Sequence, residues 1–186
     1  YPLYKGEKPR QTTEKTIKSA ITKGYETVKH THISDYQTLY NRVKFTLSGD
    51  TASEKLPTDI RVKQLQQGFT DDASLKVLWF NLSRYLLISA SRPGTLPSNL
   101  QGVWNTFEKA PWNGNFQSNI NLQEMYWGCG PTQLPECEEA YLEWIEGLVE
   151  PGRKTAGEYY GTKGWVSHST GNIWGHTVPG DDILWG

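Results

Sequence analysis

The chain has 186 residues, with 19 basic and 20 acidic side chains and a formal net charge of −1. That balance gives no pull toward nucleic acid or an anionic membrane surface, and no stretch approaches the ~18 consecutive apolar residues of a membrane span. Two cysteines, Cys129 and Cys137, are too few for a disulfide scaffold and match no metal motif, whereas eight Trp and ten Tyr suit either a core or stacking on sugar faces.

The first residues, YPLYKG, lack an initiator Met and the charged, apolar, small-residue order of a signal peptide. The chain is therefore expected to be one partial domain cut from a longer protein, with residues 1–11 as linker and some apolar faces left unburied. Residues 12–24 predict a short helix, with Ile17, Ala20 and Ile21 on one face and Gly24 closing it. A capping box from Ser34 to Gln37 predicts a second helix that runs to about Ser48 and stops at Gly49. After a linker at 54–57, Thr58 caps a helix that ends at Gly68.

Asp71 and Asp72 open the most apolar element in the chain. Leu75, Leu78, Trp79, Leu82, Tyr85, Leu86 and Ile88 leave only Lys76, Ser83 and Arg84 as a polar strip. A helix apolar nearly all round is expected to lie buried between others. It ends before Pro93. Residues 92–118 show no helical or strand period, yet carry Leu96, Leu100, Val103, Trp104, Phe107 and Trp112, which are costly to leave in water. An ordered loop shaping a cleft is the expectation. A short helix follows at 120–127. Pro135 at a helix start, with Glu136, Glu138 and Glu139 behind it, opens a longer one that Pro151 is expected to break. Residues 152–161 form another, and the remainder is a second loop rich in Gly, Trp and His. No period-2 run of β-branched residues occurs, so the fold class is all-α, built from helical hairpins with long loops.

Chemistry concentrates in the stretch NGNFQSNINLQEMYW at 113–127. Amides this dense suit a polyhydroxylated ligand, since each both donates and accepts; Asn and Gly also dominate ordinary turns. Asn119 and Asn121, at i and i+2, either converge on one water or hydroxyl or serve as a cap and a turn amide. Trp104, Trp112, Trp127, Trp165 and Trp174 are candidates to line a sugar cleft. His168 and His176 fit no helical metal pair, and a hydrogen-bonded His is the simpler reading of each. Hydrolysis of a glycoside needs a carboxylic acid and a carboxylate across the bond. Glu108, Glu124, Asp181 and Asp182 are the acids near the loops, and a buried Glu124 would have a raised pKa; none has a partner at motif spacing. No phosphate-binding loop, dinucleotide glycine pattern, nucleophile elbow or zinc motif occurs, so no cofactor or metal is expected.

Two long strings, RYLLISASRPGTLPSNLQGVWN (84–105) and PWNGNFQSNINLQEMYW (111–127), resemble glycoside hydrolase family 95. HISDYQTLYNRV (32–43), LPTDIR (56–61), GRKTAGEYYG (152–161) and GWVSHSTGNIWGHTVPGD (164–181) follow in the same order. The family holds α-L-fucosidases and related α-L-galactosidases. The resemblance implies a β-sandwich ahead of an (α/α)6 barrel, of which this chain would be the N-terminal part. It implies inverting hydrolysis, with a Glu as acid and an Asp base working with two Asn that position water. Those Asn map onto Asn119 and Asn121, while the acid and base belong to segments downstream. Gln117, Trp104, Trp112, Trp174 and His168 are then expected to bind substrate.

Two positions depart from the family pattern. Gln117 stands where fucosidases commonly have a His, which leaves α-L-galactose or another sugar open. His176 stands where an acid is common. A glycan is the expected partner, with self-association through exposed helix faces, and family habit implies a secreted or periplasmic protein. Two alternatives stay open: a glycan-binding remnant without hydrolysis, and a helical module whose Trp-rich loops contact protein.

Overall fold

The computed structural model describes residues 8–49, 52–68 and 71–180. Among these, the architecture is helical, with α1 (Pro9–Lys23), α2 (Tyr25–Tyr40), α3 (Thr58–Gln66), α4 (Ala73–Ala90), α5 (Asn121–Tyr126) and α6 (Pro135–Tyr160). Two-residue strands β1 (Phe116–Gln117) and β2 (Thr170–Gly171) pair antiparallel. Asp181 and Asp182 lie outside the described residues. No described helix is long and apolar enough to cross a membrane.

The first hairpin turns on Gly24, whose φ of 78° ends α1 and starts α2 at once. Only glycine takes that conformation without strain. Helix α1 begins at Pro9, so four of the residues expected as linker are its N-terminal cap and first turn. Its predicted apolar face stays largely in solvent, with Ile21 74% exposed.

Three predicted boundaries are corrected. The capping box does not start a helix, because Ser34 lies in the middle of α2. That helix also ends at Tyr40 rather than near Ser48, and its last carbonyls are taken by Arg84, which arrives from α4. Nor does Pro151 break α6, which runs unbroken for 26 residues. The residue four back, whose carbonyl the ring would crowd, is Gly147, which lies inside the same continuous helix. The Thr155 hydroxyl then bonds the Pro151 carbonyl at 3.3 Å.

Helix α4 starts as expected, with the Asp72 carboxylate accepting the Leu75 amide at 2.9 Å. Its burial is partly inverted, since only Leu75 and Ile88 of the predicted apolar set are buried. Leu78, Trp79, Leu82, Tyr85 and Leu86 are exposed, whereas Arg84 of the polar strip is buried. The core lies instead where α2, α4, α5 and α6 meet, around Leu39, Ile88, Phe116, Leu122, Tyr126, Trp144 and Leu148. Cys129 and Cys137 belong to it as free, fully buried thiols. Burial pushes the Cys129 thiol up to about 12, which keeps it from acting as a nucleophile.

One polar joint crosses this core. The Ser91 hydroxyl, at the end of α4, donates to the Cys137 carbonyl at 2.7 Å. It accepts from the Tyr126 hydroxyl at 2.8 Å, and that oxygen accepts the Ser98 amide at 2.8 Å. Every member is satisfied, so the joint fixes where the loop after α4 departs.

Candidate functional site: an amide-rich strand pair under tryptophan loops

Three loop segments, around 98–105, 111–121 and 164–180, are tied into one surface. The first holds the second through side-chain amides, with Asn99 Nδ2 donating to the Gly114 carbonyl at 3.1 Å and Gln101 Nε2 to the Pro111 carbonyl at 3.0 Å. Between those anchors the backbone is left-handed at three successive residues, Trp112 (φ 53°), Asn113 (φ 56°) and Gly114 (φ 64°). Asn and Gly tolerate this; a Trp does not, at a cost of about 1–2 kcal/mol. The tight curl leaves the Trp112 ring 69% exposed.

The second and third segments are joined by the strand pair. Phe116 is opposite Gly171, and Gln117 opposite Thr170. Ser118 extends the ladder, its amide donating to the Ser169 carbonyl at 2.7 Å and its hydroxyl to the His168 carbonyl at 3.0 Å. Helix α6 supports the pair from beneath. The Trp144 ring meets Phe116 edge-on, with centroids 5.1 Å apart, and its Nε1 donates to the Asn172 carbonyl at 3.2 Å. A Cβ on Gly171 would lie 2.5 Å from that ring, so the close approach requires glycine.

Asn119 follows the strand and Asn121 opens α5; both are exposed. Asn119 Oδ1 accepts the Ile120 amide at 3.1 Å. Among the described residues no hydrogen bond engages its Nδ2 or any part of the Asn121 amide. The turn-amide role therefore occupies only one oxygen of the pair, and the other polar atoms face solvent. Gln123, two residues on, is committed differently: its Nε2 bonds the Ser118 carbonyl at 2.5 Å.

Trp104, Trp112 and Trp174 all display about half or more of their surface. They are not core filler. Trp104 packs over Gly102 and walls a hollow of about 340 Å³ between α4, the 98–104 loop and Met125 of α5. A second hollow of about 420 Å³ lies against Gln123, Trp127 and Glu138. Neither is lined by Asn119 or Asn121. His168 has both ring nitrogens engaged, by the Thr177 carbonyl at 2.7 Å and the Tyr160 hydroxyl at 2.6 Å. Glu124 and Glu108 are exposed, so Glu124 is not the buried carboxyl that the sequence allowed for.

Sequence reasoning missed Ser118, Tyr160 and Asn172. Asn172 had a signal, since an Asn two residues before a Trp suits a turn in which its Oδ1 accepts the Trp174 amide, here at 2.8 Å. Ser118 and Tyr160 had none, because their partners lie far along the chain.

The strand pair carries Gln117 beside the exposed amides of Asn119 and Asn121, and Trp104, Trp112 and Trp174 are displayed on the same all-α scaffold. The glycosyl hydrolase family 95 catalytic domain matches residues 24–186, and the chain belongs to that family. It is 41% identical over 173 residues to alpha-L-fucosidase 2 of Arabidopsis thaliana, covering 92% of this chain and 20% of the relative. It is 37% identical over 184 residues to probable alpha-fucosidase A of Aspergillus niger, covering 98% of this chain and 23% of that protein. The corresponding protein of Aspergillus oryzae is 38% identical over 178 residues, 94% of this chain and 24% of its own length. The chain thus spans a fifth to a quarter of the curated relatives it matches.

Proposed function

We propose that this chain is the water-positioning part of a family-95 glycoside hydrolase that removes terminal α-L-fucosyl, or α-L-galactosyl, residues from glycans with inversion. Its helices are the first of an (α/α)6 barrel, and its loops form one side of the sugar pocket. The observation that carries this reading is the pair of amides at Asn119 and Asn121, left without core partners at the end of a strand that α6 holds in place.

A neutral amide orients a water but takes no proton from it, so the pair needs a carboxylate base and a carboxylic acid. Family resemblance assigns those to segments downstream of this chain. The tryptophans supply apolar faces for the sugar ring, and Gln117, fixed in β1, is the residue expected to tune the choice between fucose and galactose. The test uses 2′-fucosyl-lactose. The chain alone is expected to release no fucose. In the longer parent protein, Asn119→Ala or Asn121→Ala should lower kcat by about 100-fold or more through lost positioning, with the helical circular dichroism unchanged. Turnover by the chain alone at a full-length rate, or full activity in both variants, overturns the reading.

The three exposed tryptophans favour one alternative, a glycan-binding remnant. It expects saturable sugar binding and no hydrolysis even in the longer protein.

A further inference from the structure

His168 has been described as a candidate sugar contact, yet its ring is fully used inside the protein. Nδ1 lies 2.7 Å from the Thr177 carbonyl oxygen, and a carbonyl only accepts. Nδ1 therefore carries the proton, Nε2 of the neutral ring holds the lone pair, and the Tyr160 hydroxyl donates to it at 2.6 Å. The Tyr160 and His168 rings also stack, with centroids 5.8 Å apart and planes 23° from parallel. Tyr160 is the last residue of α6, and Gly161 at φ 59° turns the chain away immediately after it.

The bond from His168 to Thr177 closes an arch of backbone, residues 168–177, at its feet. One foot is anchored again where the Thr177 hydroxyl meets that of Thr155 on α6, at 2.7 Å in the interior. The other is anchored by Ser118, which donates to the carbonyls of His168 and Ser169 and stands between Gln117 and Asn119. Inside the arch, Asn172 Oδ1 accepts the amides of Trp174 at 2.8 Å and His176 at 3.2 Å. Trp174 is displayed near the top, 67% exposed.

We propose that Tyr160 and His168 are positioning residues of the glycan site: Tyr160 holds the His168 ring as the Nδ1–H tautomer, and that ring sets the arch that presents Trp174 on the strand pair leading to Asn119. The proposal rests on the glycan reading of this surface, and it replaces direct sugar contact by the imidazole. Tyr160 acts through His168, and His168 acts through the arch.

Long-range proton–nitrogen spectra of the nitrogen-15-labelled chain test the first step without any ligand. His168 is expected as a single Nδ1–H tautomer; an Nε2–H ring, or a fast mixture of tautomers, overturns the proposal. Tyr160→Phe removes only the hydroxyl. It should shift the Nε2 resonance toward that of a solvated ring. It should also weaken binding of 2′-fucosyl-lactose, followed by tryptophan fluorescence, by about three- to tenfold, the worth of one neutral hydrogen bond. Helical circular dichroism should not change. Unaltered affinity together with an unaltered Nε2 resonance overturns it. A chain that binds neither fucose nor 2′-fucosyl-lactose refutes the glycan reading instead, and the spectra of the unsubstituted chain still decide the tautomer. They decide it equally should Tyr160→Phe fail to fold.

Discussion

Arg84, on α4, donates from Nη1 to the carbonyl oxygen of Tyr40, the last residue of α2, at 2.8 Å. Its Nη2 reaches the Leu39 carbonyl at 3.1 Å and the Thr132 carbonyl at 3.4 Å. The side chain is buried, and among the described residues no carboxylate pairs with it. Its charge is met by the negative end of the α2 dipole and by the Tyr40 ring, 5.3 Å from the guanidinium carbon. Arg84→Ala would orphan several buried carbonyls at once and should cost about 2–4 kcal/mol. Arg84→Lys should recover only part, since an ammonium lacks the fork. Urea unfolding followed by circular dichroism measures both; an unchanged midpoint in Arg84→Ala would show that the α2 end is held by something else.

Acid sensitivity follows from two arginine–carboxylate pairs. Asp72 accepts from Arg61 Nε and Nη2, both at 2.8 Å, and from the Leu75 amide and the Ser74 hydroxyl. The Arg61 guanidinium, with those caps behind it, holds the carboxyl well below the usual range. Glu136, bonded twice by Arg42, is lowered to about 2. Both folded pKa values lie below their unfolded ones of about 4. The stability they contribute is thus complete above pH ~4 and is lost as pH falls through the folded values. Melting temperature should be flat from neutral pH down to about 5 and fall below ~4. Asp72→Asn leaves Arg61 buried without its counter-charge and should cost about 3–5 kcal/mol at pH 7. Glu136→Gln should cost much less, because that pair is about a third exposed and screened. Equal losses in the two variants would contradict this.

The same residues show what the sequence makes legible. Asp72, Gly24 and Pro135 act on neighbours within four positions, and each sets its boundary where local chemistry places it. The capping box at Ser34 is equally local, yet it loses to Gly24 upstream and to Arg84, more than forty residues away, at the end of α2. Pro151 is overridden by packing along α6, which buries Trp144 and Leu148 before it and Thr155 and Ala156 after it. Strands of two residues carry no period, so the pairing of Phe116 with Gly171 was out of reach; it exists because Trp144 and Ser118 draw the segments together. The amides and tryptophans of the site were readable by type. The commitment of His168 to Tyr160 and Thr177 was not, since it depends on where α6 stops.

Gly171→Ala tests whether the strand pair truly rests on Trp144. The added methyl would sit 2.5 Å and 2.7 Å from ring carbons that the helix holds in place. No left-handed backbone is involved, so the effect is overpacking alone, expected at about 1–3 kcal/mol. Displacing β2 also displaces Ser118 and with it Asn119. The variant should therefore lose sugar-dependent fluorescence change more than it loses helix content. Trp144→Phe, which opens the space, should restore part of the stability when combined with Gly171→Ala, and simple additivity of the two losses would argue against the contact.

The exposed face of α4 makes a prediction about assembly. Leu78, Trp79, Leu82, Tyr85 and Leu86 recur at three- and four-residue steps, and each keeps 40% or more of its surface in solvent. Two copies covering this stripe on each other would gain roughly 8–14 kcal/mol together from side chains already half buried. Association costs about 4–15 kcal/mol before any contact is made. The two ranges overlap, so self-association should be concentration-dependent rather than obligate. Sedimentation velocity should show average mass rising with loading concentration. The double variant Trp79→Lys, Leu82→Lys alters only exposed positions and should stay monomeric with its helix content intact. If the unsubstituted chain is monomeric at every concentration, or the variant assembles as readily, this face is not what joins the copies.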